Sequence, residues 1–119
     1  MSLVADREYD DLAPDELTYD AAGNIVAVIQ DSKSLDVLMV AYMNLESIQK
    51  CFETGYTWFW SRSRQKLWQK GEESGNTQKI VSMSYDCDAD ALLVKVEQGG
   101  AGIACHTGAR TCFYRELHP

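Results

Sequence analysis

Apolar and polar residues alternate with a period of two along much of this chain, a pattern typical of β-strands with one buried face. The segments 77–86 and 91–98 alternate most regularly. The β-branched run 25–31 precedes the apolar run 35–43 across a short polar turn, and these two runs are predicted to form a hairpin. Shorter apolar or aromatic stretches complete the predicted strands at residues 57–61, 67–70 and 112–117.

One segment has the periodicity of a helix instead, residues 44–55, with the sequence NLESIQKCFETG. Asn44 suits the N-cap position, and Gly55 suits the position just after the last helical turn. Cys51 is interpreted as a small packing residue, because buried free cysteine behaves as a small hydrophobe. The spacing of three and four residues predicts a single apolar stripe, formed by Leu45, Ile48 and Phe52.

The elements predict one α+β, strand-rich domain. The 119 residues suit a single hydrophobic core. Residues 1–22 are acidic and lack periodicity, so they are predicted to be an N-terminal arm with at most one short turn of structure. Residues 23–119 are predicted to be the domain itself.

The charge pattern narrows the class of ligand. A net charge of −7 argues against general nucleic-acid binding, for which a basic surface is needed. Five of the eleven basic residues nevertheless lie between Arg62 and Lys79. A basic strip on an acidic protein fits a small anionic ligand better than a long polyanion.

No segment of the sequence is predicted to enter a membrane. No apolar run approaches the roughly 20 residues that a membrane-spanning helix needs. The acidic N-terminus lacks the apolar region of a signal peptide. The expected location is the cytoplasm, where disulfides are not the first expectation for the four cysteines.

An unusual cluster of acids lies in the segment SYDCDADALL, residues 84–93. In extended backbone, Asp86, Asp88 and Asp90 would share one face and Cys87 would lie on the other. Three converging carboxylates repel one another unless a hard cation such as Mg²⁺ lies between them. The alternative is a solvated acidic turn. An EF-hand is disfavoured, because Ala91 occupies the position of its glycine and the flanks alternate like strands.

Cys105 and Cys112 lie seven residues apart, with His106 beside the first of them. A glycine-containing link allows the chain to fold back and bring both thiols to one point. Together with Cys87 they would supply three thiolates, a set that suits zinc with a fourth position open for water. His106 could be a fourth ligand, a base beside the metal-bound water or a structural histidine. The alternative is three unrelated thiols.

The segment WSRSRQKLWQKGEESGNTQ, residues 60–78, is rich in groups that suit a phosphorylated ligand. Arg62 and Arg64 share strand parity, so both could face one phosphate. The tryptophans of this region either stack on a base or belong to the core. The glycines, serine, asparagine and threonine of residues 71–77 suggest a loop that binds an anion or a sugar, although the P-loop pattern is missing.

Four segments together resemble the phosphoribosyl-AMP cyclohydrolase family of histidine biosynthesis: VLMVAYMN, the strip at residues 60–78, DCDADALLVKV and ACHTGARTCF. The resemblance covers about residues 23–117. It implies hydrolysis of the N1–C6 bond of the adenine ring in 1-(5-phosphoribosyl)-AMP, with zinc and magnesium as cofactors. It implies a zinc site at Cys87, Cys105 and Cys112 and a magnesium site at Asp86, Asp88 and Asp90.

The same resemblance implies a barrel-like arrangement of antiparallel strands with one capping helix, in an intertwined homodimer. Each metal site would then draw on both chains, and Cys87 would meet Cys105 and Cys112 of the partner subunit. His106 is the candidate catalytic proton shuttle. The predicted substrate contacts are Trp60, Ser61, Arg62, Ser63, Arg64, Glu72, Ser74, Gly75, Asn76 and Gln78.

Two departures from the family pattern matter. Many members have histidine where this chain has Asn76, which puts a histidine contact to substrate in doubt there. Many members carry a fused pyrophosphatase domain, whereas this chain ends at Pro119 and is expected to have one function. Two other classes compete with the enzyme: a non-catalytic binding module stabilised by zinc, and a thiol redox protein, which the absence of a CxxC motif disfavours.

Overall fold

The structure is a computed structural model that describes residues 8–119, so residues 1–7 of the predicted arm lie outside the described part. The chain forms a 3₁₀-helix at Pro14–Glu16, one α-helix and six strands. In chain order these are β1 (Asn24–Asp31), β2 (Val37–Asn44), α1 (Leu45–Thr54), β3 (Trp58–Ser61), β4 (Lys66–Gln69), β5 (Gln78–Tyr85) and β6 (Ala91–Gln98).

Four of the strands form one mixed sheet in the order β2-β1-β6-β5, and β3 and β4 form a separate hairpin. The pairs β1–β2 and β5–β6 are antiparallel, but β1 and β6 run parallel. The expectation of a barrel of antiparallel strands is therefore wrong for residues 8–119, whose main sheet is open and mixed. The physical reason is burial: β1 and β6 have one exposed residue between them and take the centre of the sheet, whereas the edge strands β2 and β5 have six. Parallel pairs form between strands that are covered in this way.

The core lies between the sheet and α1. Ile25, Ile29 and Val96 from the central strands are at most 2% exposed, as are Ile48 of the helix and Phe59 of β3. The helix contacts β2 and β3. The hydrophobic surface that drives this burial is thus supplied by the residues with period two on the strands and by one face of the helix.

The helix is confirmed together with both of its ends. The Asn44 side chain accepts a hydrogen bond from the Ser47 backbone N–H at 2.9 Å, and the Ser47 hydroxyl accepts one from the Asn44 N–H at 2.8 Å. Gly55 ends the helix with a φ of 80°. Cys51 is 1% exposed, and burial raises the pKa of its thiol to about 11, as expected of a packing residue. Phe52, placed on the apolar stripe by its spacing, is instead 67% exposed.

The predicted strand at residues 112–117 is wrong. Cys112 donates its backbone N–H to the Leu38 carbonyl at 2.7 Å, but no ladder continues beyond it in the described chain. Phe113 and Leu117 are 60% and 99% exposed. The apolar residues of this segment therefore have no buried face within one chain.

The described part of the acidic arm, residues 8–22, packs across the β5–β6 hairpin. The Tyr85 hydroxyl donates to the Tyr9 carbonyl at 2.9 Å and accepts from the Leu12 N–H at 2.8 Å. The Thr18 N–H donates to the Ala89 carbonyl at 2.9 Å, inside the turn that joins β5 to β6. The arm thereby helps to fix the acidic turn.

Candidate active site

The three aspartates lie in the turn between β5 and β6, not in extended strand. Ala89 has a φ of 60°, so the backbone reverses inside the cluster. The argument from strand parity is therefore wrong, although its conclusion of convergence holds. The turn brings one carboxylate oxygen from each of Asp86, Asp88 and Asp90 within 4.8 Å of the others.

Hydrogen bonds and repulsion shape this cluster. The Asp86 carboxylate accepts from the backbone N–H groups of Asp90, at 3.0 Å, and Ala91, at 3.1 Å. The pKa of Asp90 is raised to about 6, first by a hydrogen bond with Asp88 and then by desolvation and the neighbouring Asp86. Protonation of Asp90 relieves the same repulsion that a bound cation would relieve. Hard oxygen ligands on an exposed turn suit Mg²⁺ or Ca²⁺.

Cys105 and Cys112 are brought together at the ends of a tight hairpin. The Cys105 N–H donates to the Ala109 carbonyl, and the Gly108 N–H donates to the Cys105 carbonyl, both at 3.1 Å. Gly108 has a φ of 93°, which favours glycine at the reversal. The glycine-containing link therefore folds back as predicted.

The two thiols differ in their electrostatic surroundings. The Thr107 hydroxyl lies 3.0 Å from the Cys105 sulfur, and hydrogen bonds from Thr107 lower the pKa of that thiol, with Lys70 contributing by its charge. Partial burial raises the pKa of Cys112, and the adjacent Cys105 raises it further. The pKa of one thiol is thus lowered and that of its neighbour raised, and two sulfurs this close together suit a soft cation.

Side-chain contacts attach this hairpin to the start of β2. The Thr111 hydroxyl donates to the Val37 carbonyl at 2.7 Å. The Arg110 guanidinium lies 2.7 Å from the Asp36 carboxylate and 3.5 Å from that of Asp31. These contacts place the thiol pair beside the turn that joins β1 to β2.

Cys87 lies at the opposite end of the sheet, in the acidic turn, where it is exposed. Ala91 pairs with Val26 near the start of β1, whereas Val96 pairs with Asp31 at its end. The strand rise separates these two levels by roughly 17 Å. Among residues 8–119 of a single chain, the aspartates form the one group of three or more metal-ligand side chains, so the three cysteines do not meet within it.

A cleft of about 480 Å³ lies between the β3–β4 hairpin, the loop after β4 and the segment that carries Cys105 and Cys112 (residues 104–112, here called the thiol hairpin). The predicted site residues along its wall are Ser61, Ser63, Arg64, Glu72, Ser74 and His106. Three other residues that line the cleft were not predicted from the sequence: Gln69, Lys70 and Glu73. Lys70 is close enough to the thiols to lower the pKa of Cys105, and its place in the basic strip was the available signal.

Other predicted substrate residues lie away from this wall. Residues 62–65 form a turn, so Arg62 and Arg64 do not share strand parity. The Arg62 guanidinium instead lies 3.9 Å from the centre of the Tyr42 ring. Trp60 is half-buried in β3 opposite Leu67. The remaining three, Gly75, Asn76 and Gln78, do not line the cleft.

Gln78 is the clearest departure from the sequence reading. Its side chain is completely buried. Its amide accepts from the Thr57 hydroxyl and donates to Gln98, both at 2.9 Å. A direct contact between Gln78 and a ligand in the cleft conflicts with this burial.

The tryptophans divide between the two interpretations. Trp68 packs against Phe59, with 4.9 Å between ring centroids, and also lines the cleft. Trp58 is half-buried and donates its indole N–H to the Thr54 hydroxyl at 3.1 Å. Only Trp68, of the three, presents a surface to the cleft.

Comparison with known proteins defines the class of this domain. Residues 39–114 match the family model described as phosphoribosyl-AMP cyclohydrolase. A protein of that name from Rhodopseudomonas palustris (strain BisA53) is 58% identical over 99 residues, which cover 83% of this chain and 67% of the relative. Another from Pelotomaculum thermopropionicum is 54% identical over 103 residues, covering 87% of this chain and 78% of the relative. The chain belongs to the phosphoribosyl-AMP cyclohydrolase family.

Longer relatives also match. The histidine biosynthesis bifunctional protein HisIE of Thermosynechococcus vestitus is 60% identical over 101 residues, covering 85% of this chain and 47% of the relative. The chain spans about half the length of the bifunctional relatives it matches.

Across residues 8–119, no helix combines the length and hydropathy needed to cross a bilayer. The cytoplasmic location inferred from the sequence stays a prediction.

Proposed function

We propose that this chain hydrolyses the N1–C6 bond of the adenine ring in 1-(5-phosphoribosyl)-AMP, opening the ring during histidine biosynthesis. The observation that carries the proposal is the cleft that has basic and hydroxyl groups on one wall and His106 beside the thiol pair on another. Membership of the cyclohydrolase family supports the same reaction.

The cleft offers separate positions for the phosphates and for the reacting ring. Arg64 and Lys70 supply positive charge, and Ser61 and Ser63 supply hydroxyl donors. His106 is exposed on the cleft wall next to Cys105, where it can accept a proton from an attacking water and return it to the leaving N1. In this proposal the chain's own residues bind the phosphates, orient the purine and move the proton.

Two cofactors complete the proposal, zinc at Cys87, Cys105 and Cys112 and Mg²⁺ at Asp86, Asp88 and Asp90. The support is the donor chemistry: thiols biased by their neighbours for the soft ion, and converging carboxylates for the hard ion. Zinc bound at such a site lowers the pKa of water toward about 7 and so supplies a nucleophile at neutral pH.

The third thiol requires a second chain in this proposal. Because Cys87 lies at the far end of its own sheet, the zinc site would combine Cys87 of one subunit with the thiol pair of the partner subunit. The intertwined homodimer suggested by the family resemblance provides that pairing. The exposed apolar residues of the C-terminal segment, Phe113 and Leu117, are consistent with burial against another chain.

The test measures ring opening by ultraviolet absorbance with phosphoribosyl-AMP as substrate. We expect turnover that a chelator abolishes and added zinc restores, and we expect Cys105→Ala to lose bound zinc and turnover together. Cys51→Ala is the matched control, because Cys51 is buried away from the cleft. The Cys51→Ala protein should therefore still bind zinc. Full turnover by zinc-free Cys105→Ala protein would contradict the zinc assignment, and a folded, zinc-loaded protein without turnover would favour the binding module.

A further inference from the structure

A buried chain of hydrogen bonds runs from the core to the loop that lines the cleft. It begins at Thr57, whose hydroxyl donates to the Gln78 side-chain oxygen at 2.9 Å. The Gln78 amide nitrogen donates to the Gln98 side-chain oxygen at 2.9 Å. The Gln98 nitrogen then donates to the backbone carbonyls of Asn76, at 3.1 Å, and Thr77, at 3.3 Å. Thr57 and Gln78 are completely buried.

This series of hydrogen bonds ends on a stretch of backbone that two glycines allow to pack closely. A β-carbon added to Gly71 would lie 2.4 Å from the Asn76 carbonyl carbon, and one added to Gly100 would lie 2.3 Å from the Asn76 side-chain oxygen. That oxygen also accepts the Ala101 N–H at 2.9 Å. Asn76 is therefore packed closely against two glycines and held by hydrogen bonds from Gln98 and Ala101.

The loop before Asn76 supplies one wall of the cleft. Glu72, Glu73 and Ser74 line it, and Gly71 and Gly75 are joined by a backbone hydrogen bond of 2.8 Å. A loop of this length has little packing of its own, since Glu72, Glu73 and Ser74 are all exposed. Its position is consequently set by its two ends, at Lys70, whose N–H donates to the Thr57 carbonyl at 3.1 Å, and at Asn76 and Thr77.

We infer that Gln78 and Gln98 together are positioning residues for substrate binding, which hold Asn76 and with it the cleft loop in its binding geometry. The Gln78 amide satisfies both neighbours, because its oxygen accepts from the Thr57 hydroxyl while its nitrogen donates to the Gln98 oxygen. Pre-organisation of a binding loop lowers the cost of ordering it around a ligand. The kinetic part of this inference rests on the proposed function, but the structural part does not.

The experiment compares Gln78→Met and Gln98→Met with the wild type. Methionine keeps the length and volume but cannot pass the hydrogen bond on to Asn76. We expect KM for phosphoribosyl-AMP to rise about tenfold while kcat changes less than about threefold, the signature of lost uniform binding. The exchange rate of the Ala101 amide should rise about tenfold in both variants, because its acceptor Asn76 is released.

Ser47→Ala is the control for destabilisation alone. Ser47 is as deeply buried as Gln78, and it bonds only to the helix cap at Asn44. This variant should lose thermal stability with KM and the Ala101 exchange rate unchanged. Gln98 is half-buried, so its variant is expected to fold even if Gln78→Met does not.

Unchanged KM, within about twofold, in folded Gln98→Met would overturn the inference. An equal rise of KM in Ser47→Ala would overturn it too, because the effect would then be general destabilisation. If the wild type itself opens no adenine ring, the proposed function fails. Ala101 exchange in Gln98→Met then decides the positioning role alone: faster exchange supports it and unchanged exchange overturns it.

Discussion

The two ends of the four-stranded sheet carry two kinds of metal-ligand group. At one end, the turn between β5 and β6 brings three carboxylates within 4.8 Å from five consecutive residues. At the other end, the hairpin beside the start of β2 brings together two thiols, Cys105 and Cys112. The third thiol, Cys87, lies in the acidic turn and not with the other two.

The difference shows what a local turn can and cannot build. Oxygen ligands for a hard cation can come from adjacent residues, because Mg²⁺ and Ca²⁺ accept water as their remaining ligands. A zinc site takes at least three protein ligands in a tetrahedral arrangement, which usually requires separate segments of the chain. For the two proposed sites, a single chain therefore brings together all three carboxylates at one end of the sheet but only two of the three thiols at the other.

Mixing of variant subunits tests whether each proposed zinc site draws on two chains, and it has the largest expected effect. Cys87→Ala and Cys105→Ala should each be inactive alone. If each zinc site uses Cys87 from one chain and Cys105 from the other, a mixed dimer keeps one intact site of its two. Random mixing should then restore about a quarter of wild-type turnover. No recovery after verified subunit exchange would refute the shared site.

Asp88→Asn tests the proposed magnesium site in the turn between β5 and β6. We expect the Mg²⁺ concentration for half-maximal activity to rise roughly tenfold, because one charged ligand is lost. Glu97→Gln removes the same charge from an exposed position outside the turn and should leave that concentration unchanged. An identical magnesium titration for Asp88→Asn and the wild type would remove the turn from the proposal.

In the absence of metal, Asp88→Asn should also change how the thermal stability of the protein depends on pH. In the folded protein the pKa of Asp90 is raised from 3.8 to about 6, first by its hydrogen bond with Asp88. The folded state then binds more protons than the unfolded chain between these values, so this group's contribution to stability falls as pH rises from about 4 to about 6. Thermal melts of Asp88→Asn should fall less over this range than those of the wild type.

Arg110→Met tests how much the ion pairs of Arg110 contribute to zinc affinity at the proposed zinc site. Its expected effect is the smallest. Its ion pairs with Asp36 and Asp31 tie the thiol hairpin to the β1–β2 turn, but Arg110 is half-exposed. Zinc affinity, measured by competition with a chelating dye, should fall about two- to fivefold. Lys50→Met breaks the exposed pair with Glu53 on α1 and should leave zinc affinity unchanged. Equal losses in both variants would exclude a specific role for Arg110.

The elements were predictable where local chemistry decides them. Helix α1 follows from its spacing, its cap at Asn44 and Gly55, and β5 and β6 follow from alternation with period two. The predicted strand at residues 112–117 is wrong, because a short apolar stretch does not supply a neighbouring strand to pair with. The cleft was predictable in part: Arg64 and His106 line it, whereas Arg62 turns toward Tyr42.

The sequence by itself determined the strand and helix periods, the convergence of the aspartates and the return of the chain between Cys105 and Cys112. These features depend on residues close together in the chain, whose geometry follows from turn, cap and alternation rules. Only the tertiary structure decided that β6 pairs parallel with β1, which separates Cys87 from the thiol pair, and that Gln78 is buried beneath the cleft. Both outcomes depend on which apolar faces pack together across the whole chain, and local patterns do not encode that choice.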